Sequence, residues 1–414
     1  MKDSIKSLWD NPNLLEKYYR KNKAEFKLEF KLLYPLLKGQ PAAEFWQQRL
    51  NYESDSISWG TKSELGLVAI LSLIAGILVK FPAIFSIDEE FFYPRNAGII
   101  VLTALSVYFA KKNNLSAKKS FLISAVILIS LLYINFLPNN PESNTLILAC
   151  IHLPLLLWGI FGISFLGNEP LNLLKRLEFL RFNGDLLVMS GLLLIAGGLM
   201  TVITLGLFEL IGLNIKVFFF QYFVIFGLPM VPIIATFLTQ NNPQLVNKVS
   251  PVIAKLFSPL VLVMLVVYVS AIVISGKDPY NDREFLLIFN LLLIGVMALI
   301  FFSVAESANR RQNQFGTWIL LLLAVVTTVV NLIALSAIIY RISEWGFTPN
   351  RIAVLGTNVL MLVHLLIVSK KLLESVLNKT DSSVVGLSIV RFIPIYLVWV
   401  ILIVFILPIV FVFQ

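Results

Sequence analysis

The stretch Tyr340-Arg-Ile-Ser-Glu-Trp-Gly-Phe-Thr-Pro-Asn-Arg351 is a short charged turn between two long apolar runs. The turn is too polar for a hydrocarbon core, whereas each neighbouring run has about the 20 apolar residues that a membrane-spanning helix needs. Thr348-Pro349 suits a helix start, with Thr348 as the N-cap and Pro349 in the first turn. The stretch therefore predicts that the chain leaves a membrane, turns and enters it again.

The same alternation of apolar runs and short polar turns continues along the chain, and the runs lack the residue-by-residue alternation of a membrane barrel. We predict an all-α fold, a polytopic transmembrane helix bundle of about eleven spans with a small cytoplasmic helical N-terminal region. The predicted spans lie near 66–86, 95–110, 119–137, 145–166, 186–208, 216–239, 257–275, 285–305, 317–340, 351–369 and 387–412. The second run is short and follows Tyr93-Pro94, so it tilts, begins earlier or fails to cross.

The composition favours one membrane domain over several soluble ones. Hydrophobic residues make up 58% of the chain and charged residues 14%, against about 25% charged in soluble domains. The net charge of +9 sits in short loops, where it orients a membrane protein, so we expect no nucleic acid partner. Two histidines and the single Cys150 exclude a Cys/His zinc site of the usual composition. We predict neither a metal nor a cofactor.

The charges of the loops predict the orientation of the chain. If the N-terminus is cytoplasmic, the connections on that side carry 14 Lys and Arg residues and the opposite ones carry 6. Positive loops face the cytoplasm, so the bias predicts a cytoplasmic N-terminus. An odd number of spans then leaves Gln414 outside.

Four regions are predicted: a cytoplasmic helical hairpin over 1–64, a membrane part of about four spans over 65–166, an amphipathic linker at the inner surface over 167–185, and a membrane part of about seven spans over 186–414. The first region is too charged for a signal peptide. Its apolar stripe begins after Asn11-Pro12 and runs from Leu15 to Leu37 on one helix face. The hairpin packs on the membrane domain or, alternatively, binds a protein partner or the membrane surface.

One group of candidate site residues lies in or beside the loops predicted to face outside. Short loops keep these side chains near the outer mouth of the bundle, where they form a ligand or ion pathway or, alternatively, tie loops together and cap helices. The group comprises Glu209, Asp278, Asp282, Arg283, Glu284, Arg341, Glu344, Asn350 and Arg351. Glu209 ends an apolar span, so a proton-coupled role is a further alternative.

A second group consists of polar residues within or at the ends of the spans, where such groups are expensive to keep. Its members are His152, Gln221, Asn290, Glu306 and His364. We interpret Gln221, Asn290, Asn331 and Asn358 as hydrogen bonding across helices. Gly227-Leu-Pro-Met-Val-Pro232 places two prolines inside a span, which predicts a kink or, alternatively, a broken helix beside a transport site.

Four stretches resemble a bacterial family of polytopic membrane proteins that is classified as a domain of unknown function. They are Gly276-Lys-Asp-Pro-Tyr-Asn-Asp-Arg-Glu-Phe-Leu286, Phe289-Asn290, Phe302-Ser-Val-Ala-Glu306 and Ile342-Ser-Glu-Trp-Gly-Phe-Thr-Pro-Asn-Arg351. The resemblance covers about residues 180 to 370, and more loosely the helix that begins at Asn11-Pro12. It implies a bacterial inner membrane and carries no catalytic role with it.

Three functions fit these observations. The first is a permease-like protein for a small solute or ion, with its site near Glu209, the Pro-containing span and the outer loops. The second is a membrane scaffold or sensor that binds protein partners through the N-terminal hairpin. The third is a membrane-embedded enzyme for lipid or envelope precursors. Phosphate-loop, dinucleotide and common hydrolase motifs are absent from the sequence, which favours a protein other than an enzyme. Membrane lipids are the expected surroundings, and the oligomeric state stays open.

Overall fold

The computed structural model describes residues 3–21, 23–52, 59–211, 213–246, 249–275, 283–307, 314–377 and 382–413. These residues form helices and turns, with no strand in the ranges just given. The chain divides into two compact units, Met1–Ser58 and Trp59–Gln414. The predicted all-α fold is therefore confirmed.

The first unit is a small helical body with a core of its own. Its helices are α1 (Asp3–Leu8), α2 (Pro12–Lys21), α3 (Lys23–Leu37) and α4 (Pro41–Tyr52). The predicted apolar stripe forms the core, in which Tyr19, Phe26 and Phe30 are almost fully buried. The sequence predicted one helix across this stripe, and the structure describes its residues as α2 and α3 on either side of residue 22, which lies outside the described residues.

The second unit holds the membrane helices. They are α5 (Lys62–Val79), α6 (Phe81–Phe85), α7 (Glu89–Lys112), α8 (Ala117–Phe136), α9 (Asn144–Leu166), α10 (Leu173–Leu210), α11 (Lys216–Phe219), α12 (Ile225–Gly227), α13 (Met230–Asn241), α14 (Val249–Ser275), α15 (Arg283–Ser307), α16 (Gln314–Trp345), α17 (Pro349–Val376), α18 (Ser382–Ile401) and α19 (Leu407–Val410). Single π-helical turns join α11 to α12 and α18 to α19.

Across the described ranges, nine helices are long and apolar enough to cross a membrane, or ten if a pair bent by 44° counts as one span. The protein is thus an integral membrane protein. The bent pair is Lys216–Gly227 with Met230–Asn241, at the predicted proline pair. The remaining predicted span, 95–110, is α7, which begins earlier than its apolar run and whose 24 residues extend about 36 Å. It is less apolar than the other nine because Arg95 and Asn96 lie inside it.

Polar contacts between helix ends fit an alternating passage of these segments. At the end predicted to face the cytoplasm, called the inner end, contacts join the start of α5 to the end of α7, the end of α7 to the end of α9, and the start of α10 to the end of α15. At the opposite, outer end they join α5 to the segment after Lys216, α7 to α8, and α9 to α17. Each contact pairs ends that the predicted topology places on one side.

The long helix α10 differs from the prediction. Residues 167–185 were predicted as a surface linker, but residues from Leu173 onward form the first part of a 38-residue helix. Its buried side chains Leu177, Phe179 and Phe182 pack into two different cores. The inner half of α10 therefore joins the helix group of α5, α7, α9 and α13 to the group of α15 and α18. The amphipathic pattern that suggested a surface helix instead reflects this packing.

Glycines let several helices approach closely. Between membrane helices van der Waals packing replaces the hydrophobic effect, and small residues permit close contact. A Cβ at Gly356 of α17 would lie 2.0 Å from the Trp399 ring of α18, and one at Gly184 of α10 would lie 2.0 Å from the Phe302 ring of α15. These contacts fix the spacing of the helices around the site described below.

Candidate functional site

The turn Tyr340–Arg351 is a helix–turn–helix connection built by its own polar residues. Gly346 takes a positive φ of 72° just after α16 ends, which suits a residue without a Cβ. The Thr348 side chain accepts a hydrogen bond from the Arg351 backbone nitrogen and caps α17. Both the N-cap and the proline start lie where the sequence predicted them.

The two arginines of this turn stabilise it. Arg351 Nη1 donates to the carbonyl oxygens of Trp345 at 2.8 Å and Gly346 at 2.7 Å. The guanidinium groups of Arg341 and Arg351 lie 5.3 and 5.8 Å from the centre of the Trp345 ring. Arg351 thus satisfies the last carbonyls of α16, the capping role that the sequence analysis gave as the alternative to a ligand site.

We expect Arg351→Ala to destabilise the turn by about 1 kcal/mol, since it removes two hydrogen bonds from exposed carbonyls. Limited proteolysis after Trp345 in detergent should become faster, while the melting temperature of the bundle falls by only a few degrees. Arg351→Lys is the matched control because it keeps the charge but loses the planar pair of donors. Equal proteolysis rates for the wild type and Arg351→Ala would contradict the capping role.

The other outer candidates do not form one described cluster. Asp278 and Asp282 lie outside the described residues, and Arg283 and Glu284 open α15 with side chains that the structure does not describe. Glu344 is exposed. Asn350 Nδ2 donates to Asn144 Oδ1 at 2.5 Å and joins α17 to α9. The convergence of these groups at an outer mouth stays a prediction.

Glu209 and Gln221 are both exposed. Glu209 lies in the last turn of α10 beside a shallow depression that is lined by residues of the same helix. Within the described ranges, no hydrogen bond or ion pair joins it to the turn Tyr340–Arg351. The Gln221 carbonyl oxygen accepts a hydrogen bond from Lys80 Nζ at 2.7 Å, so its contact to another helix comes from the backbone.

Glu306 belongs to a buried ion pair near the inner end. Its Oε1 lies 2.8 Å from Arg181 Nε, and the Glu306 side chain is only 2% exposed. One turn further along α10, Asp185 is also buried and accepts a hydrogen bond from Ser250 Oγ of α14 at 2.5 Å. These contacts tie α10 to α14 and α15. Sequence reasoning missed Asp185 because it stood in the supposed linker.

Among the residues that the structure describes, His152 contacts its own helix. Its Nδ1 lies 2.8 Å from the Leu148 carbonyl oxygen, one turn earlier on α9. The described contacts therefore do not connect it with His364, which lies on α17.

His364 occupies the middle of α17 and is completely buried. Its ring lies between those of Phe301 of α15 and Phe392 of α18, with centroid distances of 4.6 and 4.4 Å. Nδ1 lies 3.3 Å from the hydroxyl oxygen of Tyr396 of α18. That hydroxyl is also 3.3 Å from the Leu360 carbonyl oxygen. Three helices thus position one histidine and one tyrosine at the centre of the bundle.

Two asparagines of the membrane helices are also buried. Asn331 in the middle of α16 is completely buried, and Asn358 of α17 is 1% exposed. Within the part of the chain that the structure describes, neither Asn331 amide atom, nor Asn358 Nδ2, nor His364 Nε2 has a hydrogen-bond partner. We call Asn331, Asn358, His364 and Tyr396 the midplane polar layer.

The hydrogen bonding of two asparagines corrects the interpretation that the span asparagines hydrogen bond across helices. Asn290 Nδ2 donates to the Leu286 carbonyl oxygen of its own helix at 2.7 Å, and Asn331 makes no such bond among the described residues. Sequence reasoning also missed Tyr396, because a tyrosine in an apolar run carries no signal of its own. His364 was the usable signal, since intramembrane histidines are rare and functional.

No three His, Cys, Asp or Glu side chains of the described ranges lie close enough together to hold a metal ion. Comparison with protein families, with curated proteins and with solved structures finds no match to this chain. The resemblance to the family of unknown function therefore stays a prediction, and the site must be interpreted from its own chemistry.

Proposed function

We propose that the protein is permease-like and moves a small polar solute or an ion across a bacterial inner membrane, with its N-terminus in the cytoplasm. The observation that carries the proposal is the midplane polar layer. Asn331 and His364 lie near the middles of α16 and α17, and Tyr396 lies near the middle of the apolar stretch Ser383–Val410. This is the depth at which transporters hold their substrates. We place the path there rather than at Glu209 and the outer loops.

The free energy of burial supports this assignment. A buried polar group without a hydrogen bond costs about 1–3 kcal/mol, and the hydrocarbon core offers it no water. His364 Nε2 and the two amide atoms of Asn331 each carry that cost. A protein with a purely structural role would be more stable with leucine at Asn331. A solute or ion that hydrogen bonds to these atoms compensates the cost during transport.

The chemistry of His364 narrows the kind of substrate. The Tyr396 hydroxyl has one proton, which it donates either away from His364, to the Leu360 carbonyl oxygen or to Met297 Sδ at 3.9 Å, or to His364 Nδ1. In either arrangement Nε2 stays available, as an acceptor in the first case and as a donor in the second. Together with two carboxamides, this favours a neutral hydrogen-bonding solute, a proton or a small ion over an apolar one.

Cysteine accessibility tests the proposal without knowledge of the substrate. Cys150 is the single cysteine of the chain, so Cys150→Ser supplies a background without thiols. Asn331→Cys and Asn358→Cys should react with a small, charged thiosulfonate in membranes, because the reactive thiolate forms only where water reaches it. The controls are Ala324→Cys, which is buried in the apolar core, and Leu332→Cys, which faces lipid. Neither control should react.

Flux measurements provide the second test. Proteoliposomes would be assayed for charge movement under gradients of H⁺, Na⁺, K⁺ or Cl⁻, and for swelling with small uncharged solutes. His364→Phe keeps the ring between Phe301 and Phe392 and should remove the flux without lowering folded yield. Gly295→Ala, where an added Cβ meets nothing within 4 Å, should leave it unchanged. Unreactive cysteines at 331 and 358 together with the absence of protein-dependent flux would refute the proposal.

One observation supports the scaffold function, namely exposed apolar side chains on the first unit. In the first unit, Leu32 and Leu36 lie one turn apart on α3 and are 62% and 70% exposed, and Phe45 of α4 is 61% exposed. Exposed apolar patches mark protein or membrane contacts. Pull-down with the full-length protein and with Leu32→Gln/Leu36→Gln would detect a partner that uses this face. The enzyme function stays an alternative prediction.

A further inference from the structure

A lateral groove of about 650 Å³ lies between α7 and α8. At the outer end the two helices are held together, where Asn96 and Asn135 exchange hydrogen bonds and Arg95 Nε donates to the Ile134 carbonyl oxygen. At the inner end the short connection between Lys112 and Ala117 joins them. The groove is therefore bounded at both ends and opens sideways, toward the bilayer.

The length of the groove matches one leaflet. Its lining runs along α7 from Thr103 to Asn114 and along α8 from Ser120 to Leu131. Eleven residues of helix extend about 16 Å, and half of a hydrocarbon core is about 15 Å. The groove thus reaches from the inner membrane surface to about the midplane.

The lining changes character along this length. Ser120 and Ser124 of α8 and Ser106 of α7 lie nearer the inner end, while Ile127, Leu128 and Leu131 lie deeper, with Thr103 of α7 as the polar residue at that depth. A phospholipid has the same sequence of groups from surface to midplane, with polar ester and glycerol oxygens first and an acyl chain beyond them. Serine hydroxyls can donate to ester oxygens, and the aliphatic side chains can pack along the chain.

The mouth of the groove is positively charged. Lys111 lines the groove, while the neighbouring Lys112 pairs with Glu64 at 3.3 Å and Lys119 donates to the Gly167 carbonyl oxygen at 3.2 Å. Lys111 is exposed and has no hydrogen bond or ion pair with any side chain that the structure describes. One ammonium group thus remains for an anion at the depth of lipid headgroups.

We propose that this groove is a binding site for one anionic phospholipid, with its headgroup at Lys111, its ester region at Ser120 and Ser124, and an acyl chain along Ile127 and Leu131. A second copy of the chain is a poorer fit, since a groove one leaflet long cannot receive a spanning helix. The site lies on α7 and α8, away from the midplane polar layer, so it does not depend on the proposed transport function.

Electron paramagnetic resonance with spin-labelled phosphatidylglycerol and phosphatidylcholine, in vesicles of unlabelled phosphatidylcholine, tests the site. The wild type should prefer the anionic lipid, and each lysine near an anionic group contributes about a fivefold preference. Lys111→Gln should abolish the preference at this site. Lys370→Gln, an exposed inner-end lysine of α17, is the matched control and should retain it.

Filling the groove separates specific binding from general attraction to a basic surface. Ser124→Trp should remove one motionally restricted lipid per protein for both labels, whereas the lysine variant should remove only the preference. Equal association of both lipids with the wild type would overturn the proposal. A preference that survives Lys111→Gln, or that Ser124→Trp leaves intact, would overturn it as well.

Discussion

Replacing Arg181 by alanine is expected to lower the free energy of unfolding by about 3 kcal/mol, the largest effect that we expect from a single substitution in this chain. Removing one partner of a buried ion pair typically costs about 3–5 kcal/mol, because the other charge stays buried. The lower end applies here, since Glu306 is 2% exposed but Arg181 keeps 22% of its side chain accessible. Unfolding in detergent, followed by circular dichroism during titration with denaturing detergent, measures the loss.

A double-mutant cycle shows whether the loss comes from the pair. Glu306→Gln keeps an acceptor for Arg181 and should cost less than Arg181→Ala. Arg181→Met/Glu306→Leu replaces both charges by apolar groups and should recover most of the stability. A loss below about 1 kcal/mol for Arg181→Ala would instead place the pair among solvent-screened surface ion pairs, and the inner junction of α10 with α15 would need another explanation.

Gly356→Ala should destabilise the bundle by about 1–3 kcal/mol, the usual cost of overpacking a well-packed core. The new Cβ would lie 2.0 Å from Cζ2 of Trp399. The indole cannot move away freely because its Nε1 donates to Thr357 Oγ1 at 3.2 Å. A lower melting temperature and a smaller monodisperse fraction on size-exclusion chromatography would report the change.

Gly295→Ala is the matched control, since it is another mid-helix glycine but has nothing within 4 Å of an added Cβ. It should be neutral or stabilising by up to about 1 kcal/mol, because alanine favours helix more than glycine does. Trp399→Phe should relieve the clash, so Gly356→Ala should cost less in that background than in the wild type. Equal effects of Gly356→Ala and Gly295→Ala would show that α17 and α18 are further apart than described.

The predicted spans correspond closely to observed helices, because a helix in lipid must satisfy its own backbone and so depends on local sequence. The turn Tyr340–Arg351 shows that local sequence also determines the structure of a connection between helices. Its caps at Gly346 and Thr348 follow from residue type, and the structure has both. The prediction for residues 167–185 differed from the structure, because an amphipathic pattern describes a helix at a surface and a helix packed between two others equally well.

The residues of the candidate site were harder to predict from the sequence than the spans were. His364 could be singled out because it is a polar residue in an apolar run. Its neighbours Tyr396 and Phe392 are common in membrane helices, and only the packing of α18 against α17 shows that they contact it. The outer charges attracted attention because they are dense in sequence. Of these, Arg351 caps α16 instead, and density along the chain says nothing about which groups meet in space.

The sequence by itself determined the class of this protein, an all-α membrane protein, the approximate bounds of its spans and the chemistry of its turns. These depend on hydrocarbon thickness and on backbone hydrogen bonding, which act over a few turns of helix. Only the tertiary structure decided that α10 joins two helix groups, that Arg181 neutralises Glu306, and that the midplane polar layer draws its members from α16, α17 and α18. Those contacts join residues up to 125 positions apart, and helix packing rather than local preference brings them together.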